Sequence, residues 1–438
     1  MPFTSLALLP LIFTAFTDAA YTPSSFSAPI SGRASRRRDK ANALGSNGIT
    51  SLAGANTDSE YLVNVTVGGQ NFRLLVDTGS ADLYIPNINF TCVNATGNTV
   101  PQSTCALGSA GFDPTASKTF QLLDNVSFNN TYGTGEFVAG PMGLDTVTIA
   151  GIEVKKQVVA VPDIAFLEGN GERSGILGLA FPDDTHLFNV SDPTKASSST
   201  RNPYDSFFLS AYKQNKVNRP YFSLALNRGS VANELNSTLD PNLGYIAFGG
   251  DVPVAMLPHT STTVPIQTVA LSSNTSAEFL WYAVTIDSYN FPGSESIPAA
   301  ANGSSTPGPT IIDSGTQLVV VPEPVAAGYA SKFNPPATLT AAATGLSLWT
   351  ADCNATVPEF SVTIGRKNFT MDQKDLLFPV LADKQGDIVC LLGVQNASHP
   401  ALAFEQSIFI LGDTFLHNVV TTFNPIDKEV ALTERAPY

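Results

Sequence analysis

Two short blocks of this chain repeat each other. Asp77-Thr78-Gly79-Ser80 and Asp313-Ser314-Gly315-Thr316 each follow a run of apolar residues, and in each block a proline lies nine residues after the aspartate. An Ile-Leu-Gly triplet follows the first block at 176–178 and the second at 410–412, so the spacing is nearly the same in both. The chain is therefore predicted to consist of two related halves, each of which contributes one carboxylate.

The pattern around each block predicts a turn at the end of a buried strand. Apolar and polar residues alternate from Glu60 to Val67, and Gly68-Gly69 then provides a hairpin turn into a second strand that ends at Val76. The second aspartate likewise follows Ile311-Ile312. A turn after a buried strand is a place where a reactive group is both rigidly held and exposed.

The composition favours an all-β protein. With 438 residues, of which 43% are hydrophobic, the chain is long enough for two separate cores. It has 33 glycines and 30 prolines, which are typical of many strands joined by tight turns, and helices are expected only near 204–214 and 324–332. We expect an N-terminal lobe at 46–257 and a C-terminal lobe at 258–438.

The first 45 residues are predicted to be a leader. An apolar stretch from Leu6 to Phe16 is closed by Ala19 and Ala20, which is typical of a secretory signal over residues 1–20, although a buried first strand is the alternative. Residues 21–45 are basic, whereas the whole chain carries a net charge of −14. We expect them to be a propeptide that covers an acidic cleft and is removed; a disordered charged leader is the simpler interpretation.

Several classes of partner are disfavoured. A strongly acidic chain has little reason to bind nucleic acid. Beyond the leader, the sequence has no apolar run of 18 residues, so we expect no membrane anchor. Cysteines and histidines lack the spacings of metal ligands, and neither a metal nor a cofactor is expected. Several Asn-X-Ser/Thr motifs suit a glycosylated surface, among them those that begin at Asn94, Asn236, Asn274, Asn354 and Asn396.

Four cysteines allow three disulfide pairings. Cys92 and Cys105 lie in the first half, and Cys353 and Cys390 lie in the second. One bridge in each half is therefore the favoured pairing, which suits an oxidising compartment outside the cytosol.

An aspartate before Thr-Gly or Ser-Gly is by itself more often a turn former than a catalyst. Two of them in duplicated halves change this interpretation, because matching turns meet where the halves pack around a pseudo-twofold axis. Asp77 and Asp313 would then share one proton across acidic pH, and such a pair can deprotonate a water while protonating a carbonyl oxygen. Gly79 and Gly315 would permit the close approach.

Five motifs in order resemble the pepsin-like aspartic endopeptidases of secreted, fungal type. They are Asp77-Thr78-Gly79-Ser80-Ala81-Asp82-Leu83, Tyr132-Gly133-Thr134-Gly135, Gly175-Ile176-Leu177-Gly178-Leu179, Asp313-Ser314-Gly315-Thr316 and Ile410-Leu411-Gly412-Asp413. The resemblance runs from about Glu60 to Leu432. It implies a bilobal β fold, with an active-site cleft between two lobes related by a pseudo-twofold axis.

The resemblance also implies roles for particular residues. Asp77 and Asp313 would be the catalytic pair, and the hydroxyls of Ser80 and Thr316 would hydrogen-bond to it. A flap over the substrate would be formed by Tyr132, Gly133 and Thr134. The residue before the cut would occupy an apolar pocket lined by Leu75, Ile176 and Leu167.

Three positions depart from the family pattern. Tyr84 stands where a tryptophan is usual, so the hydrogen bond to the flap tyrosine would have to come from a phenol or be lost. Ser174 replaces a frequent aspartate, and Arg173 lies where the pocket is often apolar. These departures affect the expected preference for particular substrate side chains and leave the expected reaction unchanged.

We therefore expect a secreted, glycosylated endopeptidase, made as a zymogen and acting on polypeptides as a monomer, with a vacuolar destination as the alternative. Two other classes remain open. A binding protein could keep the bilobal scaffold without activity, although both aspartate turns and Tyr132 are intact. A structural β glycoprotein would require the duplicated acidic turns to be coincidental.

Overall fold

The computed structural model describes residues 48–55, 60–133, 135–229, 239–271, 275–293, 297–298, 308–341, 347–382, 388–396 and 408–438. These residues form mainly β-strands, with four short helices among them. The expected signal and propeptide segments, together with the sequence motifs at Asn236, Asn274 and Thr134, lie outside the described residues.

Most described strands of the first half are short, and the longest of them belong to one eight-stranded sheet. They are β1 (Ile49–Ser51), β2 (Ala53–Ala55), β3 (Glu60–Val67), β4 (Gln70–Asp77), β5 (Leu83–Tyr84), β6 (Thr91–Cys92), β7 (Gln121–Leu122), β8 (Ser127–Thr131), β9 (Phe137–Gly140), β10 (Met142–Ile149), β11 (Ile152–Ala160), β12 (Ile164–Phe166), β13 (Ile176–Gly178), β14 (Leu187–Phe188), β15 (Phe222–Leu226) and β16 (Gly244–Phe248).

The second half continues the same β architecture. Its strands are β17 (Thr262–Pro265), β18 (Ala283–Thr285), β19 (Ser288–Asn290), β20 (Ile297–Pro298), β21 (Pro309–Ile312), β22 (Val319–Val321), β23 (Thr338–Ala341), β24 (Ser347–Ala351), β25 (Ser361–Ile364), β26 (Lys367–Thr370), β27 (Leu377–Ala382), β28 (Ile388–Leu392), β29 (Val394–Asn396), β30 (Phe409–Leu411), β31 (Val419–Asn424) and β32 (Glu429–Glu434). The helices are α1 (Phe207–Lys213), α2 (Glu323–Ala330), α3 (Gln373–Leu376) and α4 (Asp413–Leu416).

The predicted hairpin before the first aspartate is confirmed. Strands β3 and β4 pair antiparallel, with Val67 opposite Gln70 across the turn. Gly68 and Gly69 have φ values of 57° and 84°, a left-handed conformation that glycine adopts at least cost. The hairpin brings the chain to the first aspartate turn on a buried strand.

Both halves contain the same three-stranded unit behind their aspartate turns. In the first half, β13 runs parallel to β4, with Gly178 opposite Asp77, and antiparallel to β5. In the second half, β30 runs parallel to β21, with Leu411 opposite Ile312, and antiparallel to β22. The duplication seen in the sequence is therefore a duplication of sheet topology, and it gives a two-lobed, all-β fold.

One six-stranded sheet joins the two halves. Its strand order is β1-β16-β15-β31-β32-β17, so three adjacent strands from before the predicted boundary at residue 257 pair, through β15 and β31, with three adjacent strands from after it. Phe222 in β15 lies opposite Phe423 in β31, with ring centroids 5.0 Å apart. A continuous apolar core extends from this sheet into both halves and supports the interface where the two aspartate turns meet.

The structure contains disulfides between Cys92 and Cys105 and between Cys353 and Cys390, the pairing favoured from the sequence. Among the described residues, no helix has the length and apolar character needed to cross a membrane.

Candidate active site

The two aspartate turns lie against each other at the interface of the halves. Asp77 is the last residue of β4, and Asp313 follows the last residue of β21. The residues just before each aspartate, Leu74 to Val76 and Ile311-Ile312, are apolar and buried, so each turn is fixed by the core behind it. The carboxyl groups of Asp77 and Asp313 lie within hydrogen-bonding distance of each other.

A reciprocal set of hydrogen bonds connects the two turns. The Thr78 hydroxyl donates to Ile312 O at 2.9 Å, and the Ser314 hydroxyl donates to Val76 O at 2.8 Å. Each hydroxyl oxygen also accepts a hydrogen bond from the backbone N–H of the other residue. Both side chains are fully buried. The sequence analysis above predicts no role for them. Both aspartate blocks nevertheless have a hydroxyl residue in their second position, and this repeat could have indicated a contact between the turns.

Two glycines allow the turns to approach this closely. A Cβ atom added to Gly79 would overlap the carboxyl group of Asp313, and one added to Gly315 would lie 2.5 Å from Asp77 Oδ1. Any other residue at either position would separate the two carboxyl groups or displace a turn.

Each carboxyl group receives the same two donors from its own turn. The N–H groups of Gly79 and Gly315 each donate at 2.8 Å to Oδ1 of the aspartate two residues earlier. The Ser80 hydroxyl donates to Asp77 Oδ2 at 2.5 Å, and the Thr316 hydroxyl donates to Asp313 Oδ2 at 2.7 Å. The structure thus brings together all six residues that the sequence predicted at the centre of the site.

Burial and the nearby Asp313 carboxylate raise the pKa of Asp77 well above its usual value, and the hydrogen bonds from Ser80 and Gly79 oppose this rise. Two carboxyl groups in contact cannot both ionise at low cost, so the pair holds one proton over a wide pH range. A pair with one proton has a base and an acid side by side, which can take a proton from one group and give a proton to another.

The predicted apolar pocket residues lie together beside the pair. Leu75, Ile176 and Leu167 belong to one buried apolar cluster, and the rings of Tyr84 and Tyr132 pack against it. Ile176 lies opposite Leu75 in one strand pair and opposite Tyr84 in the other. The cluster is therefore placed by the same strands that place Asp77.

Tyr132 lies at the tip of the hairpin formed by β8 and β9, which we call the flap. Its N–H donates to Glu136 O at 2.9 Å, and Gly133 next to it is exposed. The ring centroids of Tyr84 and Tyr132 are 6.1 Å apart, but the buried Tyr132 hydroxyl forms no hydrogen bond with Tyr84. Of the two alternatives for a phenol at position 84, the structure therefore shows the one in which this bond is lost.

Arg173 is buried and forms ion pairs beneath the flap. Its Nη2 lies 2.7 Å from Glu136 Oε1, and its Nε lies 3.5 Å from Glu60 Oε1. Glu136 Oε1 also accepts from the N–H of Glu168 at 2.7 Å. Burial raises the pKa of Glu60, while the Arg173 charge opposes this rise. This residue, a departure from the family pattern, therefore ties Glu136, which directly precedes flap strand β9, to Glu60 at the start of β3.

A second buried carboxylate lies five residues after the first aspartate. Asp82 Oδ1 accepts from the His186 N–H at 2.9 Å and from the Tyr204 hydroxyl at 2.6 Å, and Oδ2 lies 2.9 Å from His186 Nδ1. This triad could not be predicted from the sequence, because Asp82 is more than 100 residues away from both His186 and Tyr204 and no local motif links them.

Paired, hydrogen-bonded aspartates at the interface of two duplicated β lobes define the aspartic protease class. Comparison with known proteins agrees: the eukaryotic aspartyl protease family matches residues 60–435. The chain belongs to this family and is an aspartic-type endopeptidase acting on polypeptides.

Relatives match along most of the chain. A probable aspartic-type endopeptidase of Aspergillus fumigatus is 32% identical over 429 residues, covering 97% of this chain and 90% of the relative. Rhizopuspepsin-4 of Rhizopus niveus is 26% identical over 392 residues, covering 88% and 80% of the two chains. The crystal structure of the aspartic proteinase from Irpex lacteus has a similar fold, with a TM-score of 0.63 at 21% identity over 89% of this chain and 97% of that one.

Proposed function

We propose that the protein is an exported endopeptidase that hydrolyses internal peptide bonds at acidic pH, using a water activated between Asp77 and Asp313. The observation that carries this proposal is the contact between the two carboxyl groups, each with the same pair of donors. Extracellular or vacuolar destination is supported by both disulfides, which persist in oxidising compartments.

In the proposed mechanism, the ionised member of the pair takes a proton from water, and the protonated member gives its proton to the oxygen of the scissile carbonyl. Water then adds to the carbonyl carbon without a covalent enzyme intermediate. The hydroxyls of Ser80 and Thr316 hold the outer carboxylate oxygens and favour ionisation. Tyr132 on the flap would cover the substrate and exclude bulk water.

The apolar cluster supports a preference for a large apolar residue before the cut. Leu75, Ile176 and Leu167 would contact that side chain, with Gly133 of the flap passing over the peptide backbone. The proposed propeptide over residues 21–45 would block this cleft until it is removed, which makes the precursor a zymogen. The proposed form in solution is a monomer.

A digestion experiment tests the proposal. The purified protein should cleave denatured haemoglobin or casein at about pH 3–4, where one proton is shared by the pair, and pepstatin should block the cleavage. Mass spectrometry should find products from internal bonds, and sequencing of the amino terminus should place the start of the mature chain near residue 45; a start at about Tyr21 would contradict the proposed propeptide. A maximum at alkaline pH, or no cleavage by the processed protein, would contradict the proposal.

Replacing Ser80 with Ala is expected to move the pH profile of kcat/KM to higher pH by about 0.5–1 unit, because the hydroxyl stabilises the ionised pair. The sign follows from the pKa of Asp77, which the Ser80 hydrogen bond lowers and its loss raises. Both limbs of the profile should shift in the same direction. Ser80→Thr keeps the hydroxyl and should leave the limbs in place; an unchanged profile in Ser80→Ala would exclude this role.

A further inference from the structure

A cavity of about 350 Å³ lies beside the flap. Its walls come from both halves of the molecule, and the lining residues that matter here are Asn130, Thr131, His186, Phe188, Arg201 and Leu271. None of these residues is needed for the proposed chemistry at Asp77 and Asp313. The cavity is therefore a separate feature that borders the same cleft.

The cavity lies across the flap from the apolar pocket. Flap strand β9 pairs with β12, which leads into Leu167 of the apolar pocket. Flap strand β8 instead pairs with β14, which directly follows His186 and contains Phe188 of the cavity wall. A peptide that places one side chain in the apolar pocket and passes under the flap therefore places the following side chains toward the cavity.

The cavity wall carries two basic side chains. His186 Nδ1 is held by Asp82, so its Nε2 is the ring nitrogen left for a ligand. The Arg201 guanidinium donates from Nη1 to Asp183 O at 2.8 Å, and its charge opposes the rise in the pKa of both Asp183 and Asp184. A permanent positive charge at a cavity wall favours an anionic ligand.

Acidic groups around the cavity do not cancel this charge in acid. Burial and the neighbouring Asp82 raise the pKa of Asp184 well above its usual value, so this residue is neutral there. Burial and Glu278 also raise the pKa of Asp183. Asp82 is already bonded to His186 and Tyr204, and Asp192, which lies 3.7 Å from Lys195 Nζ, is outside the lining.

We propose that this cavity selects substrates with an acidic residue, Asp or Glu, among the first two residues after the scissile bond. The side-chain carboxylate would bind Arg201 and His186, with the Asn130 amide as an additional polar group at the wall. This inference rests on the proposed function, because it assumes that the peptide runs under the flap past Asp77 and Asp313. It adds the class of side chain that is recognised by the part of the cleft that binds residues after the scissile bond.

The proposed selectivity has a characteristic pH dependence. A glutamate side chain is mostly neutral at about pH 3 and mostly ionised at about pH 5, whereas arginine is charged throughout. Peptides with Glu after the cut should therefore be cleaved about tenfold better than matched Gln peptides near pH 5, with a much smaller advantage near pH 3. The difference should lie mainly in KM, since the contact is remote from the reacting carbonyl.

The test compares kcat/KM for peptides that differ only by Glu, Gln or Lys at the first or second position after a fixed cut. Arg201→Gln should remove most of the preference for Glu, and Arg201→Glu should reverse it toward Lys. Lys195→Gln is the matched control, because Lys195 is an exposed cation of the same loop that does not line the cavity. Cleavage of the Gln peptide by every variant reports that the enzyme is folded and active.

Each outcome decides a different question. If none of the peptides is cut, the proposed function fails together with the inference. If the Gln peptide is cut but wild-type enzyme shows no preference for Glu at either position, the inference is overturned while the proposed function stands. A preference for Glu that persists in both Arg201 variants would also overturn it. A preference that is present in wild type, lost in Arg201→Gln and retained in Lys195→Gln supports it.

Discussion

Replacing Asp77 with Asn is expected to lower kcat by about 10⁴-fold, because neither water activation nor proton donation to the carbonyl can proceed without the shared proton. Asparagine can still accept the Gly79 hydrogen bond through its side-chain oxygen, so the turn should keep its shape. Removing one of two buried carboxyl groups in contact also relieves their repulsion, and stability should be unchanged or higher.

The measurement is kcat on an internally cleaved peptide, made alongside thermal unfolding of both proteins. Asp113→Asn is the matched control, because Asp113 Oδ1 accepts from the Thr115 N–H at 2.8 Å in the same local geometry but on the exposed surface. It should retain full activity. Asp313→Asn should lose as much as Asp77→Asn, and the double variant little more, since the residues act as a unit. A folded Asp77→Asn enzyme with near wild-type kcat would show that Asp77 and Asp313 are not the catalytic pair.

Local patterns were sufficient to predict the core of the site, for a physical reason. The two aspartate blocks contain their own turn chemistry, since Gly79 and Ser80 supply donors to Asp77 from within the same turn. The alternating pattern of β3 and the glycines after it determine the strand that carries the turn. Because both halves repeat these features, the contact between the turns could be inferred from symmetry.

Contacts between distant parts of the chain were not predictable in this way. The six-stranded sheet pairs Phe222 with Phe423, and nothing in either strand specifies the partner. The hydrogen bonds between Asp82 and His186 likewise depend on where β14 is placed by the flap. Tertiary packing selects such partners, and the sequence carries only the apolar or polar character that permits them.

The ion pairs of Arg173 are also contacts between distant parts of the chain that local patterns did not predict, and losing them is expected to cost more free energy of unfolding. The sequence marked it as unusual but offered no partner for its charge. In the structure, Glu60 approaches it from the start of β3 and Glu136 from the residue before β9, with all three side chains at most 9% exposed. Asn170 also donates to Glu60 Oε2 at 2.8 Å. A buried arginine with two carboxylates leaves the cluster dependent on every member, because removing one charge leaves the others without compensation.

Arg173→Met is therefore expected to destabilise the protein by about 3–5 kcal/mol near neutral pH, as measured from urea unfolding. The loss should shrink in acid. Burial already raises the pKa of Glu60 and the Arg173 charge restrains the rise, so in the variant its folded-state pKa lies further above the unfolded value. The folded state then binds more protons than the unfolded state, and stability falls as pH rises.

Unfolding midpoints of wild type and variant should consequently diverge from about pH 3 to about pH 6. Arg73→Met is the matched control: Arg73 pairs with Glu172 where both side chains are about one-third exposed, and its loss should cost at most about 1 kcal/mol. Adding Glu60→Gln and Glu136→Gln to Arg173→Met should recover part of the loss, because the buried carboxylates are then gone. Equal midpoints near pH 6 for wild type and Arg173→Met would show that the cluster does not anchor the flap strand to the lobe.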